Sequence, residues 1–192
     1  MKIEPFATAR EAGVTIIELM AVLIVIGVVI AIVAPSMRGM MARQRVQGVQ
    51  ADLLTDLQLA RSEMAQRSGT PTKVAVTFGG DAAVSCYTVH VDVTGITCDC
   101  TRAPGSACTP VVVPSPEIKT TQLTRAVGVS LAASSASGTS IVFTPPQGRV
   151  TPTDMVIEVQ DTTSGHLRTL ISGLGVPTVC SPDGSIRGVN PC

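Results

Sequence analysis

Aromatic side chains are nearly missing from this chain: it has no Trp, one Tyr and three Phe. Any core must therefore be aliphatic. Net charge is missing as well, with 14 Lys and Arg against 14 Asp and Glu. Over residues 70–192 the basic residues are Lys73, Arg102, Lys119, Arg125, Arg149, Arg168 and Arg187, and eight acids offset them. That balance excludes the bulk basic footprint of a nucleic-acid-binding domain. Histidine is limited to His90 and His166. There is no Gly-x-Ser-x-Gly elbow, phosphate loop, EF-hand loop or zinc-ligand pair. No enzyme, catalytic residue, cofactor or metal site is expected. A length of 192 residues suits one domain plus an extension.

Cysteine is absent from the first 85 residues and then occurs six times, at Cys86, Cys98, Cys100, Cys108, Cys180 and Cys192. An even number confined to a loop-rich region indicates disulfides formed outside the cytosol. Cys180 and Cys192 are expected to pair and close the terminal segment. The other four allow three pairings, and the sequence does not choose among them. A metal reading of Cys98-Asp99-Cys100 lacks further ligands at zinc spacing.

The long apolar run is the most informative feature present. Val14–Ala34 contains one ionisable residue, Glu18. At about 20 residues it is long enough to span a hydrocarbon core as a helix. A cleaved secretory signal has a shorter apolar region, about 7–15 residues. A plain anchor leaves Glu18 unexplained, since an unpaired carboxylate at membrane depth costs roughly 2.5–3.5 kcal/mol or more.

The order Gly13-Val14-Thr15-Ile16-Ile17-Glu18-Leu19 before the apolar run resembles the prepilin peptidase site of type IV pilins. That resemblance implies cleavage between Gly13 and Val14 and N-methylation of the new terminus at Val14. Family members usually carry Phe at this position. It also implies that Glu18 pairs with the N-terminal amine of a neighbouring subunit, a partner that would offset its desolvation. Gly27 and Pro35 fall where related pilins weaken the helix, and Pro35 removes an intrahelical hydrogen bond.

Beyond Pro35 an amphipathic stripe follows at helical spacing: Val46, Val49, Leu53, Leu57, Ala60 and Met64. Arg45, Asp52, Asp56, Arg61 and Arg67 fall largely off it. Gly69-Thr70-Pro71 ends the helix. Alternation then predicts strands at Val74–Phe78, Ser85–Val93, Ser140–Thr144, Met155–Asp161 and His166–Ile171. The last two are joined by a turn at Thr162-Thr163-Ser164-Gly165. Pro104–Pro116 and the small-residue stretch Ala132–Gly138 read as loops.

Leu59-Ala60-Arg61-Ser62-Glu63-Met64-Ala65 leads into Gly69-Thr70-Pro71 and a strand, and Ile141-Val142-Phe143 and Gly148-Arg149-Val150 come later. A short segment after Gly184 ends the chain. Together these resemble the GspH/FimT family of minor pilins and pseudopilins. The expected fold is α+β and pilin-like: a long N-terminal helix packed on an antiparallel β head. Residues 1–13 would be a leader, 14–69 the helix (14–35 transmembrane), and 70–192 a disulfide-bearing periplasmic head. The implied partners are other pilin or pseudopilin subunits, prepilin peptidase and the bacterial inner membrane, crossed once. The implied filament is a type IV pilus or a type II secretion pseudopilus. Some FimT-type proteins bind DNA through a C-terminal Gly-Arg-x-Arg motif. Here Gly184-Ser185-Ile186-Arg187 stands in its place, with Arg187 as the remaining DNA contact and one arginine replaced by Ser185.

Overall fold

The computed structural model describes residues 13–67, 72–110, 114–162 and 165–192, apart from the side chains of residues 33, 35 and 36. Most of the expected leader, the Gly69-Thr70-Pro71 break and Thr163-Ser164 of the expected turn lie outside these residues. The chain forms two compact units, Met1–Arg38 and Gly39–Cys192. Helix α1 (Ile16–Gln66) contributes to both.

In the first unit every described side chain from Val14 to Ile32 is exposed. Among the described residues no single helix is long and apolar enough to cross a membrane. The stretches Ile16–Ile32 and Met37–Gln66 meet that test together.

The second unit joins the rest of α1 to the strands. These are β1 (Lys73–Gly80), β2 (Val84–Asp92), β3 (Thr97–Cys98), β4 (Cys108–Thr109), β5 (Glu117–Thr124), β6 (Val129–Ser134), β7 (Ser140–Thr144), β8 (Arg149–Thr151), β9 (Val156–Asp161), β10 (His166–Ile171) and β11 (Pro177–Cys180). They form a five-stranded sheet in the order β5-β2-β1-β7-β8, a four-stranded sheet in the order β11-β10-β9-β6, and the ribbon β3-β4. Pairing within all three is antiparallel. The α+β, helix-and-head architecture read from the sequence is therefore the observed one. The stretch Ala132–Gly138, expected as a loop, is partly strand, because β6 continues to Ser134 through its pairing with β9. Small side chains concealed that pairing.

One core, largely aliphatic but holding Phe78, Tyr87 and Phe143, unites the helix and both sheets. Val46, Leu53, Leu57, Ala60 and Met64 are all buried, so the stripe packs as its spacing requires. Each Val, Leu and Met among them contributes roughly 1.5–3 kcal/mol on burial. The sheets answer with Val74, Val76 and Phe78 from β1, Tyr87 and Val89 from β2, and Ile157, Val159 and Leu167 from β9 and β10. Phe78 and Tyr87 stand directly opposite each other, with ring centroids 5.8 Å apart.

Two polar side chains enter this apolar interface. Asp56, expected off the stripe, is only 2% exposed. It tolerates burial because three donors reach it. The Tyr87 hydroxyl donates to Oδ2 at 2.7 Å, Lys119 Nζ to Oδ1 at 2.6 Å, and Thr121 Oγ1 to Oδ2 at 3.3 Å. Burial pushes the Tyr87 phenol well above its ordinary value, so it remains a donor. One turn and a half earlier, buried Gln50 donates through Nε2 to Thr169 Oγ1 of β10 at 2.6 Å. The helix is thus fixed to each sheet by a directional contact as well as by packing.

Residues 93–110 cover the face of the five-stranded sheet opposite α1. Cys86, Thr88 and His90 alternate with Tyr87 and Val89, so they look away from the helix. Cys86 is bonded to Cys100, and Gln122 Nε2 donates to the carbonyls of Cys100 and Arg102. Gly79 allows the approach: a Cβ there would lie 3.2 Å from Cys100 Sγ. Glu117 accepts from the backbone N–H of Gly105 at 2.7 Å and Ala107 at 2.9 Å, and from Thr120 Oγ1 at 2.7 Å. Burial pushes this carboxyl up, but the three hydrogen bonds together outweigh it and hold Glu117 below its ordinary value.

Two predictions follow the packing. Asp56→Ala strands the buried Tyr87 hydroxyl and should cost about 1–3 kcal/mol. In thermal unfolding, Asp56→Ala with Tyr87→Phe should cost less than the sum of the single changes. Glu117 has a depressed pKa in the fold, so its contribution is complete above its ordinary value of 4.5 and is lost as pH falls through the folded value. Hydrogen-exchange protection at Gly105 and Ala107 should fall in that acid window, and Glu117→Gln should lower it already at neutral pH.

Candidate functional site

The helix start is locally encoded. Thr15 Oγ1 accepts from the Glu18 backbone N–H at 3.3 Å, and the Thr15 carbonyl accepts from Leu19 N–H at 3.1 Å. Thr15 is therefore the N-cap of α1, and Thr15-Ile16-Ile17-Glu18 has the spacing of a capping box. Gly13 and Val14 lie before the helix, outside its hydrogen-bond ladder, and are exposed. Glu18 occupies the first turn, where the helix dipole favours a carboxylate. The fold thus presents an exposed, non-helical Gly13–Val14 peptide bond two residues before the helix and a carboxylate in its first turn. An exposed apolar segment follows directly.

The C-terminal segment is closed by Cys180–Cys192. Ser181 N–H donates to the Asn190 carbonyl at 2.9 Å, and Ser181 Oγ donates to the His166 carbonyl at 3.1 Å. Within Gly184-Ser185-Ile186-Arg187 the side chains diverge. Ile186 is buried in the core. Ser185 Oγ accepts from His166 N–H at 3.0 Å, and Ser185 N–H donates to Asp183 Oδ1 at 3.0 Å. Arg187 is exposed. The Ser185 hydroxyl and backbone, with Ser181, hold the Asp183 carboxyl below the usual range. The position of the missing arginine is thus spent on tying the segment to β10, beside a carboxylate that stays ionised.

The remaining cysteines form Cys86–Cys100 and Cys98–Cys108, the pairing that the sequence left open. His90 is buried, and burial holds its imidazole below the ordinary value. Its Nε2 lies 2.9 Å from Thr77 Oγ1 and its Nδ1 lies 3.2 Å from the Val91 carbonyl. A carbonyl acceptor makes Nδ1 the protonated nitrogen, so Nε2 accepts from Thr77. His166 lies 3.6 Å from Glu158, which takes two closer contacts from Arg168, at 2.7 and 3.0 Å. The two histidines serve separate sheets and do not converge. Sequence reading missed that His90 reaches Cys98 and Cys108. Only the return of the β3-β4 ribbon across β2 creates that proximity.

Comparison with known proteins adds a family. No curated protein and no solved structure matches the chain. The model of the family described as "Type II transport protein GspH" matches residues 50–175. The match begins inside the buried half of α1 and takes in β1 to β10, leaving the Gly13–Glu18 segment as an independent observation. The chain belongs to the GspH family, and its general role is that of a pseudopilin or minor pilin, a structural subunit among other such subunits.

Proposed function

We propose that this protein is a minor pseudopilin or minor pilin released from a leader by cleavage between Gly13 and Val14 and assembled through Glu18. The observation that carries the reading is the capped helix start, with an exposed scissile peptide before it and an exposed apolar segment after it. A peptidase must bind its substrate in an extended form, and a bond outside the helix ladder needs no unwinding. Cleavage leaves an α-amine on Val14, the atom that is then methylated. The apolar segment holds the subunit in the inner membrane, with the head in the periplasm, where its three disulfides are stable. On extraction into the filament, Glu18 exchanges solvent or headgroup contacts for the Val14 amine of a neighbouring subunit. The family's description favours the type II secretion pseudopilus over the type IV pilus.

The DNA-uptake reading is less well supported. Arg187 is the sole cation of residues 181–192, and Ser185 and Asp183 stand where a phosphate clamp would need a second one.

Intact mass measured with and without an active prepilin peptidase tests the processing step. The expected result is loss of residues 1–13 and gain of one methyl only when the peptidase is present. An unchanged mass beside a processed control substrate would return the segment to a plain anchor. Glu18→Ala should be processed normally but excluded from the sheared filament fraction. Its full incorporation would remove the pairing role.

A further inference from the structure

The outer face of the five-stranded sheet brings three soft-metal ligand groups together. Cys98 and Cys108 stand directly opposite each other on the β3-β4 ribbon and are joined by a disulfide. A ring nitrogen of His90 and the two sulfurs all lie within 4.8 Å of one another. We propose that this is a two-state site: a disulfide when oxidised, and a zinc site of one imidazole and two thiolates once a dithiol reductant has opened the bond.

The chemistry balances without further reagents. A dithiol attacks the Cys98–Cys108 bond, both cysteines gain hydrogen, and the dithiol becomes a disulfide. Zn²⁺ then displaces one proton from each thiol, so two protons leave as the ion binds. The geometry needs little backbone movement. Tetrahedral zinc with Zn–S near 2.3 Å places two sulfurs about 3.8 Å apart. The Cα atoms of Cys98 and Cys108 are 3.9 Å apart, close enough for two thiolates to turn toward one ion.

His90 is prepared for such a role. Whichever ring nitrogen turns to the sulfurs, the other has a fixed partner, Thr77 Oγ1 on one side and the Val91 carbonyl on the other. Zinc-bound histidines are oriented by a contact of this kind. Thr77 is itself braced by Ser140 Oγ at 3.1 Å. Access differs between the two disulfides of this face; Cys180–Cys192, whose Cys192 is exposed, lies outside it. Cys86, Cys100 and Cys108 are buried, whereas Cys98 is half-exposed. The ribbon disulfide therefore offers a sulfur to an incoming thiolate, while Cys86–Cys100 does not. With three protein ligands the fourth coordination position remains for water.

The test uses the full chain with Cys180→Ser and Cys192→Ser in detergent, treated with dithiothreitol until alkylation and mass mapping show Cys98 and Cys108 open and Cys86–Cys100 intact. Co²⁺ serves as an optical stand-in for Zn²⁺. One equivalent should bind with thiolate-to-cobalt charge-transfer absorption, release two protons, and be displaced by Zn²⁺. Cys98→Ser with Cys108→Ser should abolish the signal. His90→Gln should weaken binding by more than the roughly 10–100-fold that follows loss of a supporting outer-shell contact. No thiolate–cobalt band in the reduced parent protein overturns the proposal whatever the variants do. So does a His90→Gln protein with parental circular dichroism that binds cobalt as tightly as the parent.

Discussion

Burial of one face of α1 is the constraint on which the head is built. Val46, Leu53, Leu57, Ala60 and Met64 form a ridge against which both sheets close. With so few aromatics, no single large side chain dominates that contact. Aliphatic packing is nearly non-directional, and a ridge of Val, Leu and Ala could slide by a turn with little penalty. Asp56 and Gln50 remove that freedom. Each reaches a different sheet, so a rotation or translation that kept one would break the other. A buried carboxylate adds little net stability against an apolar substitute. Its contribution here is a single register of helix on sheet.

The outer face of the five-stranded sheet solves another problem. A sheet with a helix on one side exposes its second face to water or must cover it. Here the cover is a loop with almost no regular structure of its own, held by two disulfides, the Gln122 amide and the Glu117 carboxylate. Such a loop cannot bury enough apolar surface to order itself, and covalent bonds make up the difference. The polar groups beneath it, His90, Thr88 and Thr120, are satisfied among themselves and their neighbours.

What could be read from the residues follows from how local each signal is. The α1 stripe and strands β1, β2, β7, β9 and β10 were legible because their apolar residues recur at the period of the element. Strand β5 was not: Glu117–Thr124 is an edge strand, half-buried except at the exposed Lys119 and Thr124 and largely polar on both faces. Strands β8 and β11 are too short to show a period, and β6 ends in Ala and Ser. Asp56 looked like a solvated flank because its donors come from residues 31 to 65 positions away. The Gly13–Glu18 segment was legible because its chemistry lies within one turn. The pairing of Cys86, Cys98, Cys100 and Cys108 and the reach of His90 depend on how residues 93–110 return across the sheet, which no short-range pattern encodes.

The two overlapping disulfides also set how far the chain can be drawn out. A path traced along the covalent backbone can cross from Cys86 to Cys100 through sulfur, step back two residues to Cys98, and cross again to Cys108. About twenty residues are thereby removed from the shortest covalent route, or roughly 65–70 Å of contour at 3.3–3.6 Å per residue. For a subunit that bears tension along its length, this hidden slack caps extension. Even with every strand unzipped, this part of the head stays a knot of fixed size until a reductant arrives.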